Sequence, residues 1–375
     1  MKSLRFLALA AALAAPAARA VTLDDAVAAA LENSPTLQAA AARIDSAQAL
    51  LQQAKSYYYP SLGLSASYTR SDNPIQAFMM QLNQRQLNMQ DPAFNPNDPE
   101  DAENVRGSVG AQWRLFDLQR AAGQNMARLG TEAGAQAFAA ARNQLVHEVT
   151  RGFYGVLQAQ AFADVQAKAI ASIEESLRIA RERFTAGGAV KTDVLNLETQ
   201  LAQANEDLIR ARNGAQLALA ALNAAIGADL VAADTIAAPA EAALAAPPPK
   251  CTNPQAYEDR PEFRAARLMR QIKEQDVRKA QGGYAPTVSA FGSYDLDSED
   301  ASDFQDSYVV GVMAEINVFD GARTRANVRA ARADLAAARA DEEKARLNLK
   351  LDLQQASLGA QEAWERLEVV GKSLE

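Results

Sequence analysis

Six carboxylates crowd the loop expected between the second pair of strands: Asp295, Asp297, Glu299, Asp300, Asp303 and Asp306. Fixed negative charge at that density concentrates cations, so at the outer mouth of a pore it favours cations over anions. A solvated surface loop has the same composition, and the residues alone leave both readings open. Three further charges, Arg106, Arg114 and Glu315, sit on the polar side of alternating segments, which makes them candidates to face a water-filled lumen. A third group reads Gly187-Gly188-Ala189-Val190-Lys191-Thr192-Asp193. Its glycines let a helical chain reverse sharply, and its small side chains let a partner hairpin approach closely. A plain helix–helix turn also needs glycine. Asp193 and Glu198 are candidate contacts for such a partner, although an Asp near a helix start is first of all a cap or dipole partner.

Other chemistry is excluded by residue counts. His147 is the only histidine, which removes paired-His metal motifs, and it lies beside Glu148 in a helical pattern. Cys251 is the only cysteine, so one chain holds neither a disulfide nor a Cys-based zinc site. No nucleophile–base pair, phosphate loop or metal cluster is legible, and no catalytic, cofactor-binding or metal residue is assigned. A net charge of -8 argues against sequence-independent nucleic-acid binding.

The elements that must position these groups come in two copies. Residues 33–60 align without a gap with residues 259–286, so that Pro35 meets Pro261, Tyr58 meets Tyr284 and Pro60 meets Pro286. Phe116-Asp117 later meets Phe319-Asp320, with a longer loop between Ser71 and Asn104 in the first copy. The division expected is an export signal at 1–20, a first repeat at 21–236, a Pro-rich connector at 237–256 and a second repeat at 257–375. The signal has Lys2 and Arg5, an apolar run from Phe6 to Ala15, and Ala18-Arg19-Ala20 as its cleavage site. Beyond it no apolar run reaches the ~18 residues of a spanning helix.

Each copy holds a strand pair. Strands are expected at about 61–70, 105–116, 287–296 and 308–319. Leu62, Leu64, Ala66 and Tyr68 alternate with Gly63, Ser65, Ser67 and Thr69. Val105, Val109, Ala111, Trp113 and Leu115 share a face opposite Arg106, Ser108, Gly110, Gln112 and Arg114. Phe291 interrupts the polar face of the third strand. Period-two patterning over about ten residues fits a half-buried hairpin in a soluble sheet, and equally a barrel wall between lipid and water. The rest is helix. Val149, Val156, Ala163, Ile170, Leu177 and Phe184 recur every seventh position, as do Leu197, Ala204, Ala211, Ala218 and Ala225 on the returning arm. A helical hairpin is therefore expected over about 120–227, with a first arm on the order of 100 Å long. Four strands cannot close a barrel, since about eight is the practical minimum, and open edges cannot sit in lipid. Strands in a membrane would require the chain to oligomerise.

At this point the sequence resembles the outer membrane efflux proteins, the TolC-like channel family. The resemblance rests on Thr22-Leu23-Asp24-Asp25-Ala26-Val27 through Asn33-Ser34-Pro35, on Tyr59-Pro60 and Ala285-Pro286, and on Leu115-Phe116-Asp117 and Val318-Phe319-Asp320-Gly321. It extends to Arg183-Phe184-x-x-Gly187, Asp193-Val194-Leu195-x-x-Glu198 and Leu222-Asn223 to Gly227. It implies a mainly α fold with a membrane β-barrel part: two repeats of long coiled-coil helices plus a β-hairpin, closing as a homotrimeric twelve-stranded barrel on an α-helical tunnel. It also implies a non-enzymatic, cofactor-free duct in outer-membrane lipid. The hairpin tip would dock a periplasmic adaptor and, through it, an inner-membrane pump. A periplasmic coiled-coil adaptor is the competing expectation. The repeat places a second tip at about residue 390, past Glu375, so C-terminal truncation is expected, with the gate-lining residues in the missing part.

Overall fold

The computed structural model describes residues 21–90, 95, 97–228, 236 and 255–374. The export signal, Cys251 and nearly all of the Pro-rich connector lie outside the described residues. In chain order the elements are α1 (Leu23–Asn33), α2 (Pro35–Ser56), β1 (Ser61–Ser71), α3 (Pro74–Asn83), β2 (Ala102–Phe116), α4 (Leu118–Thr185), α5 (Lys191–Ile226), α6 (Pro261–Gly282), β3 (Thr287–Ser298), β4 (Gln305–Glu315) and α7 (Arg323–Leu374). A 3-10 turn, Ala256–Asp259, precedes α6. The chain forms two compact units. One takes in the described parts of 1–42, 138–252 and 355–375, the other those of 43–137 and 253–354.

The first unit is helical and packed through its heptad seams. Thr22 and Asp25 form a capping box that starts α1, each side chain accepting from the other's backbone N–H at 3.2 Å. Ala26, Ala30 and Leu37 then meet Leu145, Val149, Phe153 and Val156 of α4 and Leu222 and Ile226 of α5. Burial continues along both arms, at Ile170 and Leu177 of α4 and at Ala204 and Ala211 of α5. α5 ends at Gly227, at φ +82, against the α1–α2 junction. A Cβ there would stand 2.9 Å from the Asn33 carbonyl oxygen and 3.0 Å from Pro35 Cδ. The left-handed backbone and the backbone clash both oppose a side chain. Gly227→Ala is expected to cost about 2 kcal/mol of stability, read as a lowered urea midpoint. An unchanged midpoint would mean that the junction yields freely.

The second unit is built on one antiparallel sheet in the order β1-β2-β3-β4. β2 pairs with β3, so the hairpins of the two repeats lie side by side in a single sheet. Among the described residues the outer edges of β1 and β4 pair with no strand. β4 spans 305–315, not the 308–319 read from its alternation. Its ladder stops at Thr287↔Glu315, because β3 begins just after Pro286, which has no N–H to extend it. A second difference lies at the end of β2. The register shifts between Arg114 and Phe116, so that Phe116, rather than Leu115, lines up with Val288. The extra residue of this bulge takes Leu115 out of the alternation. Phe291 breaks the polar pattern for a packing reason. Its ring lies over Gly311, its cross-strand partner, where a Cβ would come within 2.6 Å of it.

The repeated Phe-Asp pair has the same task in both copies. Asp117 accepts from the Gln119 N–H at 2.8 Å at the start of α4. Asp320 accepts from the Thr324 N–H at 2.9 Å at the start of α7. Each carboxylate satisfies an orphan helix donor and meets the positive end of the dipole. The Thr324 hydroxyl and amide hold the Asp320 carboxyl below its ordinary value. A depressed folded pKa adds stability that is present above the unfolded pKa and is lost as pH falls through the folded one. Acidification below about 3.8 is therefore expected to loosen the start of α7. Amide exchange at residues 323–327 checks it, with Asp320→Asn as the pH-insensitive control. Further along, α6 and α7 are tied by Arg270–Glu342 at 2.6 Å and Lys273–Asp334 at 2.8 Å.

Candidate functional site

The sheet has two chemically different faces. On one, Leu62, Leu64, Val109, Trp113, Tyr294, Tyr308, Val310 and Val312 stand in register and open to solvent, Leu64 at 84% and Val310 at 77% exposure. Such a continuous exposed apolar face needs a non-aqueous environment or a partner. The other face carries Ser65, Ser67, Arg106, Ser108, Gln112, Asp295 and Asp297.

Arg106 and Asp297 lie directly opposite each other in the β2–β3 ladder. Asp297 is fully buried and accepts from Arg106 Nε at 2.7 Å, Arg106 Nη2 at 3.1 Å and Asn104 Nδ2 at 2.6 Å. Asn104 Oδ1 in turn accepts from Gln84 Nε2 at 3.0 Å. Next along the face, Ser108 and Ser293 donate to Asp295. Arg114 and Glu315 lie at the opposite end of the same face. With Asp117, Arg120 and Lys279 they help line a cavity of about 680 Å³ beside the strand–helix junctions. Arg114 pairs with Asp117 at 3.3 Å, and Arg120 stacks over Tyr58 at 4.0 Å.

The acidic run does not form one loop. Asp295 and Asp297 belong to β3, because the ladder continues to Ser298 once Arg106 and Ser108 face them. Asp306 belongs to β4 and pairs with Arg85 at 3.4 Å. Glu299, Asp300 and Asp303 remain in the turn between β3 and β4, where Asp300 accepts from the Ser302 amide and hydroxyl. Glu299, Asp300 and Asp303 are exposed.

The α4–α5 turn joins the residues expected at the tip. The Gly188 N–H donates to the Arg183 carbonyl at 2.8 Å and the Gly187 N–H to Phe184 at 3.0 Å, with Gly187 at φ +79. This is a Schellman ending, which terminates the helix and satisfies its last carbonyls. Val190 precedes α5, and Lys191, Thr192 and Asp193 form its exposed first turn. Ala189 is half-buried. Arg181 and Glu198 pair across the hairpin at 2.6 Å, and Phe184, Val190 and Leu195 stand exposed around the turn. His147 lies within α4. Among the described residues no cluster of His, Cys, Asp and Glu suits a metal ion.

Sequence reasoning missed α3. Its signal was present as Asn73-Pro74 followed by Ile75, Met79 and Leu82 at helical spacing.

The family model described as outer membrane efflux protein matches residues 26–228 and 253–375. Protein CyaE of Bordetella pertussis is 28% identical over 350 residues, covering 87% of this chain and 66% of that protein. Outer membrane protein TolC of Vibrio cholerae is 22% identical over 362 residues, covering 91% and 76%. Among solved structures, the outer membrane protein VceC of Vibrio cholerae superposes with a TM-score of 0.74 at 19% identity, over 93% of this chain and 81% of that one.

Proposed function

The chain belongs to the outer membrane efflux protein family, and from that premise we propose that it is one subunit of a passive export duct through the outer membrane. The observation that carries this reading is the sheet itself: an exposed apolar face and, among the described residues, two edges of a four-stranded unit that pair with no strand. Lipid satisfies the apolar face, but it tolerates no open edge. Joining β1 of one copy to β4 of the next removes both edges, and three copies supply twelve strands. The polar face, with Arg106, Arg114 and Glu315, then lines the lumen, and Glu299, Asp300 and Asp303 rim the outer mouth. The duct performs no covalent chemistry and needs no cofactor. Its helical part extends into the periplasm, where the α4–α5 tip meets an adaptor that couples to an inner-membrane pump.

Outer-membrane fractionation followed by planar-bilayer recording tests the duct. A detergent-extracted complex of three chains that conducts ions is the expected result. A monomer released without detergent overturns it. The tip has its own test. Val190 is 61% exposed, so Val190→Asp leaves stability within about 0.5 kcal/mol. Export in the native host is expected to fall at least several-fold while bilayer conductance of the purified complex is unchanged. Unaltered export would remove the tip from adaptor docking.

A further inference from the structure

α3 is amphipathic the wrong way round for a helix that only packs on its own chain. Asn73 Oδ1 caps it, accepting from the Ile75 and Gln76 amides at 3.1 and 3.3 Å, and Pro74 suits its first turn. Ala77 is fully buried, and so is Gln84 just past the helix end. Gln84 Nε2 donates to the Glu103 carbonyl at 2.6 Å and to Asn104 Oδ1 at 3.0 Å. Burial alternates along this end of β2: Ala102 and Asn104 are buried, and Glu103 between them is not. Ala102 and Asn104 lie on the face that also holds Arg106 and Asp297, so α3 covers the polar face at its outer end. Arg85 pins the exit of the helix to Asp306 of β4. At about 100° per residue, Ile75, Met79 and Leu82 fall on the side opposite Ala77. They are 76%, 50% and 43% exposed. The apolar stripe therefore points away from the sheet, on the side of the polar face.

We propose that this stripe packs against the same stripe of the two other copies and forms an apolar constriction at the outer mouth of the duct. The inference rests on the duct reading above, in which the polar face looks inward. Magnitudes decide the occupant. Twelve strands about 4.8 Å apart, tilted by about 40°, close a wall roughly 75 Å round and about 12 Å in radius. A helix about 10 Å across, standing on the inner side of that wall, reaches the axis. Helices packing at about 8–10 Å around a threefold axis each stand about 5 Å from it, which leaves about 7 Å to the strand backbone, a close approach that fully buried Ala77 permits. The three stripes cannot avoid one another, and lipid does not reach them. Ala77 keeps each helix close to its own sheet, which leaves room for the triple contact. A ring of Ile, Met and Leu also restricts water and ions by dewetting.

The test is disulfide trapping in the full chain. Met79→Cys is placed in a Cys251→Ser background, and membranes are oxidised with copper phenanthroline. Leu82→Cys serves as a second variant in case the first assembles poorly. Native mass spectrometry of the unoxidised complex counts its chains. The expected result is a three-chain complex whose band shifts to a covalent pair plus one free chain, since one disulfide joins only two of three. A three-chain complex in which the introduced thiols of both variants stay unpaired and react freely with maleimide overturns the constriction and leaves the duct reading standing. Any other stoichiometry overturns both.

Discussion

Arg106→Ala lowers the stability of the sheet by about 3–5 kcal/mol, whereas Asp297→Ala lowers it by only about 2 kcal/mol. The asymmetry follows from burial. The Asp297 side chain is 1% exposed and that of Arg106 is 38% exposed. Removing the arginine leaves a buried carboxylate with Asn104 as its remaining side-chain donor. Removing the aspartate leaves a guanidinium that already reaches water. A double change to apolar residues of similar volume restores much of the loss, because no buried charge is then left unpaired. Urea unfolding of the detergent-folded protein reads these differences. Trp113 is a convenient probe, since it lies on β2 and its indole donates to the Tyr58 carbonyl at 2.9 Å. Equal losses for the two single variants would show that water reaches Asp297 and would overturn the asymmetry.

This pair also marks where sequence reasoning ran out. Alternation put Arg106 on a polar face, because period two is a local property of each strand. It could not place Asp297 opposite. That partnership depends on which strand neighbours β2, and the ladder joins strands from different repeats. The same limit turned Asp295, Asp297 and Asp306 into loop residues, since a charge run looks solvated until its countercharges are known. Heptad seams were legible because Val149 to Leu177 and Ala204 to Ala211 repeat within single helices. The bulge at Leu115 was not, as one inserted residue leaves no compositional trace. Motif matching carried the family further than its reasons. Phe-Asp was readable as a repeated pair, and only the geometry shows each aspartate capping a helix. α3 was overlooked for a different cause. A ten-residue helix inside a long loop had its cap and stripe in plain view, but its apolar side faces away from its own sheet.

Leu64→Arg and Ser65→Arg are expected to differ sharply although they are neighbours. Leu64 lies near the middle of β1, aligned with Val109 and, across the sheet, with Tyr294 and Tyr308. If that face meets lipid, an arginine near mid-bilayer costs about 2–4 kcal/mol in each chain. A closed barrel of three chains carries the charge three times, so assembly is expected to fail or to lose its heat resistance in gels. Ser65 pairs with Ser108 on the opposite face. An arginine there meets lumenal water, leaves assembly intact and shifts the reversal potential toward anions. In a water-soluble sheet the first result changes sign. Leu64 would already stand in water at 84% exposure, and replacing it with arginine would be harmless or would improve solubility. The fraction of heat-resistant complex recovered from the outer membrane for Leu64→Arg therefore separates a lipid-facing wall from a solvated one. Unimpaired assembly of that variant would overturn the membrane reading of the sheet, whatever the helical part resembles.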